Sequence, residues 1–171
     1  MSLGIFCLSG KPVHQGHWEI IKRASTENDD AVLFVSLADR KRQHEKPIYG
    51  QHMKYIWENY LVPILPLNVE IDMCTSSPIQ RAYAEMGELE KGNVVNLYAG
   101  KEEILNSFSR KQLNKYLGDK SKNVNVIQTP RVTSGTHMRE LLTQGYQKEF
   151  CDLLPHDLNE QERCDIWKLL Y

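Results

Sequence analysis

Two short segments hold the residues best suited to chemistry. The first is Ser9-Gly10-Lys11-Pro12-Val13-His14-Gln15-Gly16-His17. Its two imidazoles, three positions apart across a turn, can converge on one point, and Lys11 adds a cation beside them. Gly10 and Gly16 let backbone come close to a ligand. A helix opening at the end of the segment would add unpaired N–H groups and the positive end of its dipole. Such a group binds phosphate oxygens and stabilises negative charge in a transition state. The spacing H-x-x-H is also compatible with a metal-dependent hydrolase. That reading needs a third protein ligand, and no His, Asp or Glu stands at a familiar spacing to supply one.

The second segment is Thr133-Ser134-Gly135-Thr136-His137-Met138-Arg139. Ser134 or Thr136 can cap a helix start, Gly135 permits a tight turn, and Met138, Leu141 and Leu142 give the helix an apolar face. Arg139 is the unusual member. A cation in the first turn opposes the helix dipole and is disfavoured unless an anion lies near it.

Five short apolar runs must carry these segments: residues 4–8 (GIFCL), 31–37 (AVLFVSL), 69–73 (VEIDM), 94–99 (VVNLYA) and 124–129 (VNVIQT). The first, second and fourth are largely apolar, the pattern of strands buried on both faces of a parallel sheet. The third alternates and suits an edge. Helical patterns fall between them at 18–24, 51–60 (ended by Pro63), 79–86 and 104–117. This alternation implies βαβ units and an open, doubly wound α/β sheet with helices on both faces. The first segment then lies at the carboxyl end of the first strand, where ligands of such sheets bind. After the fifth run come helical patterns at 136–143, 148–154 and 159–170, with an Asn159–Glu162 capping box. The expectation is one domain over 1–171, with 145–171 a helical tail packed on the core.

Bulk composition narrows the partners. With 21 basic against 22 acidic residues the net charge is −1, so nucleic acid and membrane are not expected partners and any anion site must be local. No apolar run approaches the roughly 18 residues of a membrane span, and no signal peptide is recognisable, so a cytoplasmic location is expected. Cys7, Cys74, Cys151 and Cys164 form no C-x-x-C pair and read as free thiols, not a disulfide framework or zinc site.

Pro12, His14, Gly16 and His17 resemble the G-x-F-x-P-x-H-x-G-H signature of the HxGH nucleotidylyltransferase superfamily, with Gly10 where its aromatic residue normally falls. Ser134-Gly135-Thr136-x-x-Arg139 resembles the second signature, I-S-[ST]-T-x-x-R. The two together, after the first and last strands, are far more specific than either alone. The resemblance implies a Rossmann-like five-stranded sheet of order 3-2-1-4-5. It implies transfer of AMP from ATP to a small phosphorylated acceptor with release of pyrophosphate, Mg²⁺ accompanying the triphosphate and no metal held by protein ligands. The stretch after Arg139 is most similar to nicotinamide-nucleotide adenylyltransferases, so nicotinamide mononucleotide leads the acceptors. Pantetheine phosphate and sugar or alcohol phosphates are the others. The alternatives are a cytidylyltransferase using CTP and a non-catalytic nucleotide-binding module of the same fold.

The resemblance also implies roles. His14 would stabilise the pentacoordinate phosphorus and His17 would bind phosphate oxygens. Ser9, Gly10, Lys11 and Gly16 would line the nucleotide loop, while Ser134, Gly135, Thr136 and Arg139 would hold the β- and γ-phosphates. In the charged stretch 39–47, Lys46 before Pro-Ile matches the context of the family's basic residue, with Lys41 as the other candidate. Gly100 and Lys101 would border the nucleotide at the end of the fourth strand, where Glu102 replaces the usual Asp. Ser76-Ser77-Pro78 is placed to meet the acceptor or simply to start a helix. Enzymes of this type often self-associate.

Overall fold

The computed structural model describes residues 1–131 and 134–171. Val132 and Thr133, the latter the first residue of the second segment, lie outside the described residues. Five parallel strands, β1 (Ser2–Leu8), β2 (Asp30–Ser36), β3 (Val69–Cys74), β4 (Val94–Ala99) and β5 (Val124–Gln128), form one sheet of order β3-β2-β1-β4-β5. Phe6 pairs with Leu33 on one side and Tyr98 on the other. The chain winds from β1 toward β2 and β3, then crosses back to β4. The tips of β1 and β4 therefore flank the topological switch point.

The two-residue strand period sends alternate side chains of β1 into separate cores. Phe6 and Leu8 pack with Trp18 and Ile21 of α1 (Gln15–Glu27), Met53 of α2 (Gly50–Ile56) and Met138 of α6 (Gly135–Gln144). Phe150 of α7 (Gln147–Asp152) and Trp167 of α8 (Glu160–Leu170) complete that layer. Ile5 and Cys7 pack on the other face with Ala82 and Met86 of α3 (Pro78–Glu88) and Leu113 of α5 (Arg110–Leu117). Burial on both faces explains why the central runs are apolar throughout. The alternating run is β3, at the edge.

Two helical expectations change. The pattern at 104–117 divides into α4 (Lys101–Ser107) and α5, because Phe108 turns inward and Ser109 with Gln112 forms a capping box that starts a new helix. The pattern at 51–60 is α-helical only to Ile56. A wider π turn, Trp57–Leu61, and a tighter turn, Val62–Ile64, follow. The switch of turn keeps Trp57 and Leu61 buried while bringing Pro63 where no helical N–H is needed.

The tail does more than cover the sheet. The N–H of Gln15, the first residue of α1, donates to the Leu153 carbonyl at 2.8 Å. The Gln15 side-chain oxygen accepts from His156 N at 2.6 Å, and Trp18 Nε1 donates to Asp157 at 2.7 Å. The segment between α7 and α8 thus holds the start of α1, which a helix terminus otherwise leaves to solvent.

Candidate active site

The loop from β1 into α1 is shaped by its own sequence. Gly10 has φ +55°, a left-handed conformation that an aromatic side chain would strain, which accounts for the glycine at that position. His14 is the N-cap of α1 and His17 its third residue. His17 N–H donates to His14 Nδ1 at 3.4 Å, and His14 N–H donates to His17 Nδ1 at 3.2 Å. This is a capping box built from two imidazoles.

The box fixes the tautomers. With each Nδ1 accepting from backbone, each neutral ring carries its proton on Nε2. The rings stack with centroids 3.7 Å apart and planes 19° from parallel. Burial lowers the His14 pKa to about 4. Burial, then the neighbouring His14, lowers that of His17 well below the usual imidazole value. Both are neutral at physiological pH, so the pair presents two Nε2–H donors and no net charge.

Those donors face a cleft of about 620 Å³ at the switch point. It collects Ser9, His14, Gly16 and His17 from the first segment, Gly100 and Lys101 from the tip of β4, and Ser134 and Gly135 from the start of α6. Ser134 is the cap there, accepting from His137 N–H at 3.1 Å. The starts of α1 and α6 therefore meet at one place, each with the positive end of its dipole. A larger hollow, about 920 Å³, follows the β3 edge along Glu70, Asp72 and Arg81. It lies along the side of the sheet, whereas ligands of open α/β sheets bind at strand carboxyl ends.

The remaining expected residues lie outside the lining of this cleft. Lys11 is buried, with its ammonium donating to the carbonyls of Ser9 at 2.7 Å and Ser36 at 2.5 Å. Burial lowers its pKa to about 8, against an opposing pull from Asp39. It braces the β1 loop against the end of β2. Gly10 and Thr136 also stand back from the cavity. Lys46 places its ammonium 3.9 Å from the Tyr171 ring centroid, and its backbone N–H donates to Thr143 Oγ1 at 2.9 Å.

Arg139 is only 7% exposed. It is the fifth residue of α6, beyond the first turn, and its side chain runs back toward the helix start. Nη1 donates to the Lys11 carbonyl at 2.9 Å, and Nη2 to Thr136 Oγ1 at 3.2 Å. Nε lies 3.3 Å from Glu45 Oε2. The anion that its position called for is thus present as a side chain of the protein.

Sequence reasoning missed several lining groups. Cys7, Glu103, Gln128 and Arg131 all border the cleft. Their common signal was position at or just beyond the ends of β1, β4 and β5. Burial raises the Glu103 carboxyl to about 7, and burial together with Glu103 pushes the Cys7 thiol far above its usual value. Cys7 is therefore a thiol, not a thiolate nucleophile, at neutral pH. Glu102, beside Glu103, is exposed. Among the described residues no three His, Cys, Asp or Glu side chains group as protein ligands for a metal ion. Nor is any described helix long and apolar enough to cross a membrane.

A Plasmodium falciparum nicotinic acid mononucleotide adenylyltransferase, solved with NaAD, aligns over 98% of this chain and 95% of its own, with TM-score 0.61 and 15% identity. A bifunctional NMN adenylyltransferase/ADP ribose pyrophosphatase from Francisella tularensis aligns over 84% of this chain and 42% of its own, with TM-score 0.57 and 15% identity. The chain has the fold of the HxGH nucleotidylyltransferases. Thermotoga maritima TmcAL, solved bound with alpha-thio ATP, aligns over 98% of this chain and 55% of its own, at TM-score 0.52 and 16% identity. No protein-family model matches the sequence. Ribonuclease R of Mycoplasma genitalium is 31% identical over 102 residues, 53% of this chain, and the chain spans 14% of that protein's length.

Proposed function

We propose that the protein is a nucleotidyltransferase, transferring AMP from ATP to the phosphate of a small acceptor. An acceptor phosphate oxygen attacks the α-phosphorus in line. The new O–P bond forms as the bond to the bridging oxygen of the β-phosphate breaks, and pyrophosphate leaves with that electron pair. No protein nucleophile is needed, because positioning and charge stabilisation supply the catalysis.

The observation that carries this reading is the pair of neutral, stacked imidazoles, each with an Nε2–H that no described residue accepts, at the meeting point of two helix starts. Fixed neutral donors at a helix start stabilise charge that grows on equatorial phosphate oxygens. His14 and His17 donate there, with Ser9, Gly16, Gly100 and Lys101 around the nucleotide. Ser134, Gly135, Thr136 and Arg139 hold the departing pyrophosphate. Mg²⁺ accompanies the ATP, carried mainly by triphosphate oxygens. Four free thiols suit the reducing cytoplasm, where we place the reaction.

ATP is the donor favoured by the solved neighbours whose names record adenylyl chemistry, and nicotinamide mononucleotide or its acid analogue is the first acceptor to try. The test is pyrophosphate release, measured with ATP and CTP against a panel of phosphorylated acceptors. Release with one pair, lost in His17→Ala, is the expected result. Tight ATP binding without pyrophosphate release from any pair would leave a nucleotide-binding module instead.

A further inference from the structure

The tongue between β2 and α2 is folded onto Arg139. Its base is closed by Arg40 and Ile48, which exchange backbone hydrogen bonds of 2.8 and 2.9 Å. Gly50 N–H donates to Asp39 at 2.8 Å on the α2 side. At the other end Lys46 N–H is held by Thr143 of α6. Between these ties Glu45 points inward. Its Oε2 lies 3.3 Å from Arg40 Nε and 3.3 Å from Arg139 Nε, so one carboxylate oxygen serves two guanidinium groups.

This arrangement is incomplete in two respects. The charges of Arg40 and Arg42 both bear on Arg139, and among the described residues Glu45 is the one carboxylate paired to Arg40 and Arg139. Arg139 Nε, fully enclosed, also lacks the alignment for a hydrogen bond with Glu45 and has no other partner among the described residues. A guanidinium fork matches an anion with several oxygens better than one carboxylate oxygen. The guanidinium lies directly behind the cleft. A Cβ placed on Gly135, a lining residue, would come 2.8 Å from Arg139 Nη1.

We propose that Glu45 occupies the position of the terminal phosphate of the triphosphate, and that binding exchanges this carboxylate for phosphate oxygens on Arg139 and Arg40. The inference rests on the nucleotidyl-transfer reading of the cleft and adds two residues to it. Arg40 is a phosphate ligand, and Glu45 is a built-in competitor that the ligand must displace. Displacement lifts the tongue, breaking the bond from Lys46 N–H to Thr143. Glu45 remains on Arg40 and Arg139 while the site is empty, which spares three guanidinium groups the repulsion of a site with no anion.

The test is calorimetric titration of the full chain with sodium tripolyphosphate, a probe with no base or sugar. Glu45→Gln should tighten binding about tenfold, since loss of one competing charge at contact distance is worth about that much. Adding Arg139→Ala should remove the gain, and Arg40→Ala alone should weaken binding by a similar factor. In the wild-type chain, saturating tripolyphosphate should accelerate amide exchange at Lys46, a readout that needs no variant to fold. Unchanged or weaker binding by Glu45→Gln, a gain that survives Arg139→Ala, or Lys46 exchange that stays slow overturns the proposal. ATP turnover is scored separately. Tripolyphosphate behaviour as expected without pyrophosphate release from ATP would sink the transferase reading and leave the polyphosphate exchange standing.

Discussion

The two helix starts at the cleft are built differently. At the start of α1 the two site side chains, His14 and His17, close on each other within three positions, backbone and side chain satisfying one another. The start of α6 has a local cap in Ser134, but its cation is held from afar, by the Lys11 carbonyl and by Glu45 of the β2–α2 tongue. The first is a rigid donor pair whose geometry scarcely depends on what else binds. The second is a group of charges that can trade one anion for another. Phosphoryl chemistry needs both: fixed donors where charge develops, and a grip that can accept a polyphosphate and release it.

The sharpest way to break this contrast is to remove one member of each. His17→Ala should lower pyrophosphate release at least about a hundredfold, as loss of an oxyanion-stabilising donor does. Its cost in urea-melt stability should stay near 1 kcal/mol, the value of a helix cap. Arg139→Ala should cost more stability, about 2–3 kcal/mol, because the enclosed charge-assisted hydrogen bonds to the Lys11 carbonyl and Thr136 are lost while Glu45 keeps Arg40. Equal stability losses in the two variants would mean that the difference in construction has no energetic meaning.

A pH series sharpens the same comparison. At pH 5 an unfolded His14 is protonated while the folded one, with its pKa at about 4, is not. Stability from the two imidazoles is therefore full above about pH 6.5 and is lost as pH falls toward 4. Glu103 acts oppositely. Its folded pKa of about 7 makes it a neutral acid that favours the fold at low pH, and that contribution is lost as pH rises from about 4.5 to 7. Thermal melts from pH 4.5 to 6.5 should thus rise with pH, and rise more steeply in Glu103→Gln. A flat profile in that variant would show that the imidazoles are not held neutral. The smallest effect concerns the loop itself. Gly10→Ala should cost about 1 kcal/mol for its left-handed backbone while leaving the His14–His17 pair in place, as chemical shifts of the two rings would report.

Much of this was legible before any coordinates. Apolar runs at 4–8, 31–37 and 94–99 placed three buried strands, and the alternation at 69–73 placed an edge, because the two-residue strand period writes its environment into sequence. His14 and His17 were legible as a converging pair for the same local reason. The break at Phe108 was harder to see, since its side chain fits the apolar face of one long helix and only Ser109 with Gln112 marks the restart. Lys46 illustrates a different limit. Sequence context singled it out of a charged stretch, yet the structure turns it to Tyr171 and brings Arg40 and Glu45 to Arg139.

The sequence by itself determined the strands, most of the helix starts and the imidazole pair, because each depends on residues that are neighbours in the chain and on rules of spacing that hold anywhere. Only the tertiary structure decided which charges meet. Arg139 faces Lys11 across 128 positions of sequence, and Gln15 is tied to His156 across 141. Pairings at that distance depend on how the sheet brings loop tips together, and no local pattern encodes them.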